Sequence, residues 1–273
     1  MLPSILVLIA LTEYPFFYAL YISAFTWQIG SEPVFVGLGN YLEVLLDSGF
    51  WYSVNITAIF TTVAVVCEFF LGLGLALVLN RKIRGSGVFR ALISVPMILT
   101  PVVIALVWRV MFNPALGILN YLLELVGLSP SGWAFHPKTA LLSVALVDIW
   151  QWTPFVMICM AAGLEALPRE PFEAAQLDGA SRWQVFRHVT FPLLTPITIV
   201  VLIFRIMDAF KTFDIIFGIT AGGPGNATET WVVSLFRNAF FFHNWGYSSA
   251  SAIIMFLVTL VYCEIIVKVL RRT

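Results

Sequence analysis

The chain has 273 residues, of which 60% are hydrophobic and 11% are charged, whereas an ordinary soluble domain carries about a quarter charged residues. Its 15 basic and 15 acidic residues cancel, so no overall field attracts nucleic acid or an acidic substrate. Long apolar runs recur along the whole chain, which excludes a soluble domain with one membrane anchor. The 3 cysteines and 3 histidines have no metal-type spacing, so we expect packing cysteines and no metal site.

Six apolar runs are each long enough to cross a hydrocarbon layer of roughly 30 Å as a helix. They lie near residues 3–26, 53–79, 88–112, 139–164, 193–219 and 247–270. The first run has neither a basic flank nor a clean small-residue cleavage site, so we expect it to be retained rather than removed as a signal peptide. The sequence therefore predicts an all-α, polytopic membrane protein with six transmembrane helices, forming a single transmembrane domain over residues 1–273.

Basic residues in the connecting segments are distributed asymmetrically. Ten of them follow the second, fourth and sixth spans: Arg81, Lys82, Arg84, Arg90, Arg169, Arg182, Arg187, Lys268, Arg271 and Arg272. The opposite segments carry only two, Lys138 and Arg237. Because lysine and arginine are enriched on the cytoplasmic side of membrane proteins, this asymmetry predicts that the N and C termini are both cytoplasmic.

The longest polar segment on the predicted cytoplasmic side, residues 165–192, has the pattern of two short helices around a turn. Pro171 suits a first helical turn, and Asp178-Gly179 supplies the stop after a run of good helix formers. Ser181 is placed as the N-cap of the second helix. One interpretation of this segment is an interfacial helix pair that packs on its own bundle.

The same segment carries a spaced set of residues: Glu173-Ala174-Ala175, Gly179 after three further residues, and Val189-Thr190-Phe191-Pro192 after nine more. This pattern resembles the EAA loop of ABC importer permeases, from which it departs by Val189 for Ile and Phe191 for Leu. Further matches in the same order extend the resemblance to the sugar-permease branch of maltose, trehalose and glycerol-phosphate permeases. They are Gly37–Tyr41, Leu77–Arg81, Trp150–Phe155, Phe210–Asp214 and Gly222–Pro224.

The resemblance implies a type I ABC importer permease fold and a transport subunit without enzymatic activity of its own. Such a subunit would translocate a disaccharide or short oligosaccharide across the cytoplasmic membrane of a bacterium by alternating access. The EAA loop would couple to a cytoplasmic ATPase through Glu173, Ala174, Ala175, Asp178, Gly179 and Pro192. The implied partners are a second homologous permease subunit, two ATP-binding subunits, an extracytoplasmic solute-binding protein and membrane lipid, but no nucleic acid.

The chain itself is expected to bind no cofactor. It contains no GxxxxGK[ST] phosphate-binding loop, and none of its four lysines follows a glycine. ATP and Mg would therefore be bound by the partner ATPase.

Polar residues inside the predicted spans are candidates for the translocation path, because a charge at the bilayer centre costs about 2.5–3.5 kcal/mol even on a lenient insertion scale. Four charges in the fifth span recur at intervals of three, so each adjoins an opposite charge on one helix. They either neutralise one another or line the path. In the fourth span an Asp, a Gln and a Trp within one turn suit sugar hydroxyls, although Pro154 also suits a simple kink there. The candidates are Asn55, Glu68, Asp148, Gln151, Trp152, Arg205, Asp208, Lys211 and Asp214.

A flexible turn precedes the last span at Gly222, Gly223 and Pro224. The family resemblance makes this turn a candidate contact for the external binding protein. Import of a polyol, glycerol or glycerol phosphate is an alternative function within the same family. An ion-coupled secondary transporter that uses Asp208 or Asp214 is an alternative from another class, and it would need no ATPase.

Overall fold

The structure is a computed structural model that describes residues 2–27, 30, 32–80 and 85–270, and these residues are mostly helical. The first half contains α1 (Leu2–Ile22), β1 (Phe25–Thr26), β2 (Val34–Phe35), α2 (Gly39–Leu46), α3 (Ser48–Leu79), α4 (Ser86–Ile98), α5 (Pro101–Met111) and α6 (Ile118–Leu125). The second half contains α7 (Pro137–Glu165), α8 (Glu170–Leu177), α9 (Arg182–Val185), α10 (Phe191–Phe210), α11 (Asp214–Thr220), α12 (Trp231–Phe240) and α13 (Trp245–Leu270). The predicted helical class is confirmed, although the antiparallel pair β1 and β2 was not predicted.

Four helical stretches of the described chain are long and apolar enough to cross a membrane: Ser48–Leu79, Pro137–Glu165, Arg182–Thr220 and Trp245–Ile265. The pair α4 and α5 would make a fifth, with a bend of 94° between its two parts. Helix α1 covers most of the first predicted span. The total of six spans stays a prediction. So does the cytoplasmic position of both termini, since residues 81, 82, 84, 271 and 272, on which it partly depends, lie outside the described residues.

The prediction of one continuous helix over residues 88–112 is wrong, because the chain leaves the helix at Leu99 and Thr100. Thr100 has an extended backbone, with φ −67° and ψ 134°. A residue that precedes a proline is disfavoured in the helical region, and Pro101 is well suited to begin the next helix because its missing N–H is not needed there. The proline therefore ends one helix segment and starts the other.

The predicted span over residues 193–219 lies within the candidate span Arg182–Thr220, but its helix is not continuous. Helix α10 ends at Phe210, and α11 begins at Asp214 after a linker of three residues, 211–213. An acidic residue in the first turn of a helix is favoured by the partial positive charge of that end, which agrees with a new start at Asp214.

Residues up to Ala58, together with Thr228–Ile265, form one compact unit. Trp231 belongs to this unit and is 1% exposed. Its ring packs edge to face on Phe50 with centroids 5.0 Å apart, and its indole N–H donates to Ser251 Oγ at 2.8 Å. Its backbone N–H donates to Thr57 Oγ1 at 2.8 Å. One buried aromatic residue thus connects α12 to both α3 and α13.

The second compact unit comprises Ile59–Ala227 and the C-terminal residues from Ile266 onward. Its apolar core brings together α3, α7 and α10 through residues such as Leu73, Met160 and Leu194. A Cβ atom at Gly72 would lie 2.6 Å from Val156 Cβ, so the contact of α3 with α7 requires glycine at this position. This close packing brings the polar positions of the three helices within reach of one another.

Candidate functional site

A buried ionic cluster joins three helices of the second unit. Arg205 on α10 donates from Nε and Nη2 to the two carboxylate oxygens of Glu68 on α3, at 2.6 and 2.9 Å. Nη2 also donates to Asp148 Oδ2 on α7 at 3.0 Å. The side chains of Glu68 and Asp148 have no exposed surface, and that of Arg205 is 2% exposed. A bidentate guanidinium pair of this kind is among the strongest polar contacts available to a protein.

Two further side chains complete what we call the Arg205 cluster. Asp208, one turn along α10, accepts a hydrogen bond from Arg205 Nη1 at 2.7 Å, and its side chain is 41% exposed. The guanidinium carbon of Arg205 also lies 4.9 Å from the centroid of the Trp152 ring, a cation–π contact. The cluster therefore combines three carboxylates with one guanidinium. Because an unpaired buried charge is very costly, Arg205 is the group that allows Glu68 and Asp148 to remain inside.

The predicted charge stripe along one helix is only partly present. Arg205 and Asp208 do pair at a separation of three residues. Lys211 and Asp214 lie beyond the end of α10, so the prediction that all four charges share one helix face is wrong. In the described part of the chain, neither of these two residues forms a salt bridge. They instead line a pocket beside the cluster.

This polar pocket has a volume of about 220 Å³. Its lining combines parts of four helices with the linker between α10 and α11: Pro101, Asp148, Trp152, Asp208, Lys211, Thr212, Phe213, Asp214 and Ile215. Asp148 Oδ1 is buried and accepts no hydrogen bond from any described residue. Asp148, one of the lining residues, therefore has a buried carboxylate oxygen with no hydrogen-bond donor among the described residues.

Both helix breaks of the second unit meet at the polar pocket. Pro101, the first residue of α5, lies on one side, and the linker 211–213 forms another side. Backbone that leaves a helix at membrane depth is tolerated only where it is buried in protein or lines a water-filled cavity. Both breaks are therefore placed where a cavity between the helices can accommodate irregular backbone.

Two of the predicted path residues have other positions. Gln151 is 1% exposed, and its Nε2 donates to the carbonyl oxygen of Leu99 at 3.3 Å. It therefore connects α7 to the break between α4 and α5 and does not line the polar pocket. Asn55 is exposed on α3 and belongs to the first unit.

The segment predicted as a helical hairpin forms two helices, α8 and α9, around Gly179. This glycine has a φ of +71°, a conformation that side chains disfavour. The N–H of Gly179 donates to Gln176 O at 3.1 Å, and that of Ala180 to Ala175 O at 3.0 Å, which closes the end of α8. Ser181 caps α9 through a reciprocal capping box with Gln184, so the predicted N-cap is confirmed.

The second arm of the hairpin continues into α10 through one wide, π-helical turn at Phe186–Thr190. Pro192 follows this turn at the start of α10. A proline in a regular helix clashes with the carbonyl four residues before it, and the wider turn accommodates that carbonyl. Glu173, Ala174, Asp178, Gly179 and Pro192 are exposed, and Ala175 is half-buried. The hairpin thus presents the predicted coupling residues at its surface.

A sequence profile described as "Binding-protein-dependent transport system inner membrane component" matches residues 68–273. The chain belongs to this family. It is a permease subunit of an ABC transporter, a transport component rather than an enzyme.

The permease is 41% identical to the trehalose/maltose transport system permease protein MalF of Thermococcus litoralis over 240 residues, which cover 88% of this chain and 81% of that one. It is 34% identical to the trehalose transport system permease protein SugA of Mycobacterium tuberculosis, with coverage of 97% and 85%. A crystal structure of a bacterial ABC transporter involved in the import of the acidic polysaccharide alginate superposes with a TM-score of 0.85 at 20% identity, covering 99% of this chain and 93% of that one. That structural similarity establishes the fold.

The turn before the last span is tightly formed in the permease. Ala221, Gly222 and Gly225 have φ values of +50°, +88° and +58°, and the Gly223–Pro224 peptide bond is cis. The N–H of Gly223 donates to Thr220 O at 2.9 Å. The predicted turn is present, and its contact with a binding protein stays a prediction.

The sequence reasoning missed the pairing of Arg205 with Glu68 and Asp148. A signal was present, because each of these acids lies deep in an apolar span without a basic neighbour on its own helix. Such a charge needs a cation from another helix. Arg205 is the most deeply placed arginine among the predicted spans and was therefore the candidate partner.

Proposed function

We propose that this permease carries a disaccharide or short oligosaccharide through the polar pocket beside the Arg205 cluster. The observation that carries this proposal is the presence of an unsatisfied, buried acceptor in a pocket where two membrane helices are broken. Relatives named for trehalose and maltose transport support the choice of a sugar. The chain would have six spans with both termini cytoplasmic, and would form half of a pore with a second homologous permease in the cytoplasmic membrane of a bacterium.

Transport would be driven by two ATP-binding subunits, which would bind ATP and Mg while this chain binds no cofactor. The hairpin over residues 165–192 would dock on one of them. Its exposed Glu173 offers a carboxylate to a basic residue of that subunit, and the turn at Gly179 fixes the angle of the two arms.

The second arm explains how a movement of the hairpin would reach the pocket. From Arg182 to Phe210 the chain is helical without interruption, apart from the wide turn. At a rise of about 1.5 Å per residue, Arg205 lies roughly 35 Å along this helix from Arg182. Displacement of the hairpin would therefore tilt the same helix that carries Arg205 and Asp208, and this would open the pocket alternately to the two sides.

An extracytoplasmic solute-binding protein would deliver the sugar from outside, as the family description implies. The loop containing Gly222, Gly223 and Pro224 would contact it.

Reconstitution tests this function. The permease, its second permease chain, the ATP-binding subunits and the binding protein are incorporated into liposomes, and uptake of labelled trehalose and maltose is measured with and without ATP. We expect uptake that requires ATP, and we expect Glu173→Gln to abolish it while the matched variant Glu170→Gln leaves it nearly unchanged. Uptake that continues without ATP and collapses with an uncoupler would instead establish a secondary transporter.

A further inference from the structure

The charges around the polar pocket indicate which class of solute it accepts. We propose that the pocket receives one neutral, hydroxylated sugar ring and disfavours a ring that carries a carboxylate or phosphate. The inference rests on the proposed function, because it assigns the solute class of the same site. It narrows that function by setting aside the alternative of a phosphate ester such as glycerol phosphate.

The charge balance of the lining is negative. With the adjoining Arg205 cluster included, four carboxylates, Glu68, Asp148, Asp208 and Asp214, stand against two cations, Arg205 and Lys211. Their formal charges leave a net charge of −2. The first turn of α5 adds a partial positive charge of about half an elementary charge, which does not reverse the sign. An anionic solute would therefore be repelled.

The nearby guanidinium is not available to compensate an anion. Arg205 already donates to Glu68, Asp148 and Asp208, and its Trp152 contact covers one face. Recognition of a carboxylate or phosphate normally uses an arginine whose paired N–H groups are free to point at the ligand. Here those groups are occupied by the protein's own carboxylates.

A neutral sugar hydroxyl fits the groups that remain. Asp148 Oδ1 is a buried acceptor with no donor among the described residues, and a hydroxyl can supply one O–H while its oxygen accepts from Lys211. The Trp152 ring adds an apolar wall for the C–H face of a sugar. The volume of about 220 Å³ corresponds to about seven water molecules at roughly 30 Å³ each, which suits one ring of a longer saccharide.

The fold does not decide the charge of the solute. The alginate importer, whose solute is an acidic polysaccharide, has the same fold at 20% identity. Discrimination between neutral and acidic saccharides must therefore come from particular side chains. In this permease the three pocket carboxylates would provide this discrimination, because they repel an acidic saccharide.

Cysteine accessibility in the assembled importer tests the charge of the pocket. Thr212→Cys, on the pocket wall, is introduced after Cys67, Cys159 and Cys263 are replaced by alanine. Rates of modification are compared for a cationic and an anionic methanethiosulfonate reagent of similar size. Ser129→Cys, at an exposed position outside the pocket, gives the intrinsic ratio of the two rates.

We expect the cationic-to-anionic rate ratio at Thr212→Cys to exceed that at Ser129→Cys by about tenfold or more, a factor that corresponds to about 1.4 kcal/mol. Asp214→Asn should reduce the excess several-fold. Equal ratios at the two positions, or an unchanged ratio in Asp214→Asn, would overturn the charge assignment. Absence of reaction with either reagent would also overturn it, because the pocket would then be closed to hydrated solutes.

A second experiment tests whether a neutral sugar ring occupies the pocket. During ATP-driven uptake we expect trehalose to slow modification of Thr212→Cys several-fold, and to leave Ser129→Cys unaffected. If trehalose is taken up but gives no protection, the pocket is not the sugar subsite. If the importer takes up no neutral disaccharide or short oligosaccharide, trehalose and maltose included, the proposed function fails. The two reagent rates would still report the charge of the pocket.

Discussion

Removal of Arg205 is expected to destabilise the permease more than any other single loss of charge in the described chain. Arg205→Met would leave the buried carboxylates of Glu68 and Asp148 without a cation. Breaking a buried pair by removing one partner costs about 3–5 kcal/mol. Coulomb's law gives an interaction energy of similar size, about 4 kcal/mol for two opposite unit charges about 4 Å apart at an effective dielectric constant of about 20.

A triple variant distinguishes the effect of stranded carboxylates from a simple loss of packing, through the free energy of unfolding that it regains. If the cost arises from stranded carboxylates, the triple variant Arg205→Met, Glu68→Gln and Asp148→Asn should regain about 2 kcal/mol or more relative to Arg205→Met alone. The assay is reversible unfolding of the purified permease in mixed micelles by titration with dodecyl sulfate. The matched control is Arg109→Met, since Arg109 is exposed and should contribute less than about 0.5 kcal/mol. Additive costs in the triple variant would refute the reasoning.

Two glycines give further predictions. Gly72→Leu should cost about 1–3 kcal/mol by overpacking α3 against α7, while Gly74→Leu, where a Cβ would meet nothing within 4 Å, should change stability little in the same unfolding assay. Gly179→Ala forces a left-handed backbone on a residue with a Cβ, at a cost of about 1–2 kcal/mol. We expect it to lower sugar-stimulated ATP hydrolysis several-fold without loss of membrane insertion, whereas Gly87→Ala, at an exposed glycine outside the hairpin, should retain both. Normal hydrolysis in Gly179→Ala would contradict a coupling role for this turn.

Much of the helical layout follows from the sequence, because a long apolar run in lipid has few alternatives to a helix. The hairpin was predictable for a different reason: Pro171, Gly179 and Ser181 each favour one local backbone position, and α8 and α9 begin and end where these residues indicate. Local chemistry was sufficient in both cases.

The breaks and the ionic cluster depend on more than local chemistry. Pro101 indicates the break after Leu99, but the residues on both sides of it form one continuous apolar run, which favours a single span. The linker at 211–213 has no proline or glycine, so no strong breaker indicated it. The contact between Arg205 and Glu68 joins residues 137 positions apart, and a single sequence contains the charges but not their pairing.

The wide turn at Phe186–Thr190 also affects which changes of length the chain tolerates. Each residue advances an α-helix by about 100°, so one residue inserted between Phe191 and Arg205 would turn the guanidinium away from Glu68 and Asp148. A π-helical turn already holds one extra residue, and deleting or adding a residue there alters the local winding first. Among natural relatives, we expect insertions and deletions in this helix to be confined to the neighbourhood of that turn, with the spacing from Phe191 to Asp208 left constant.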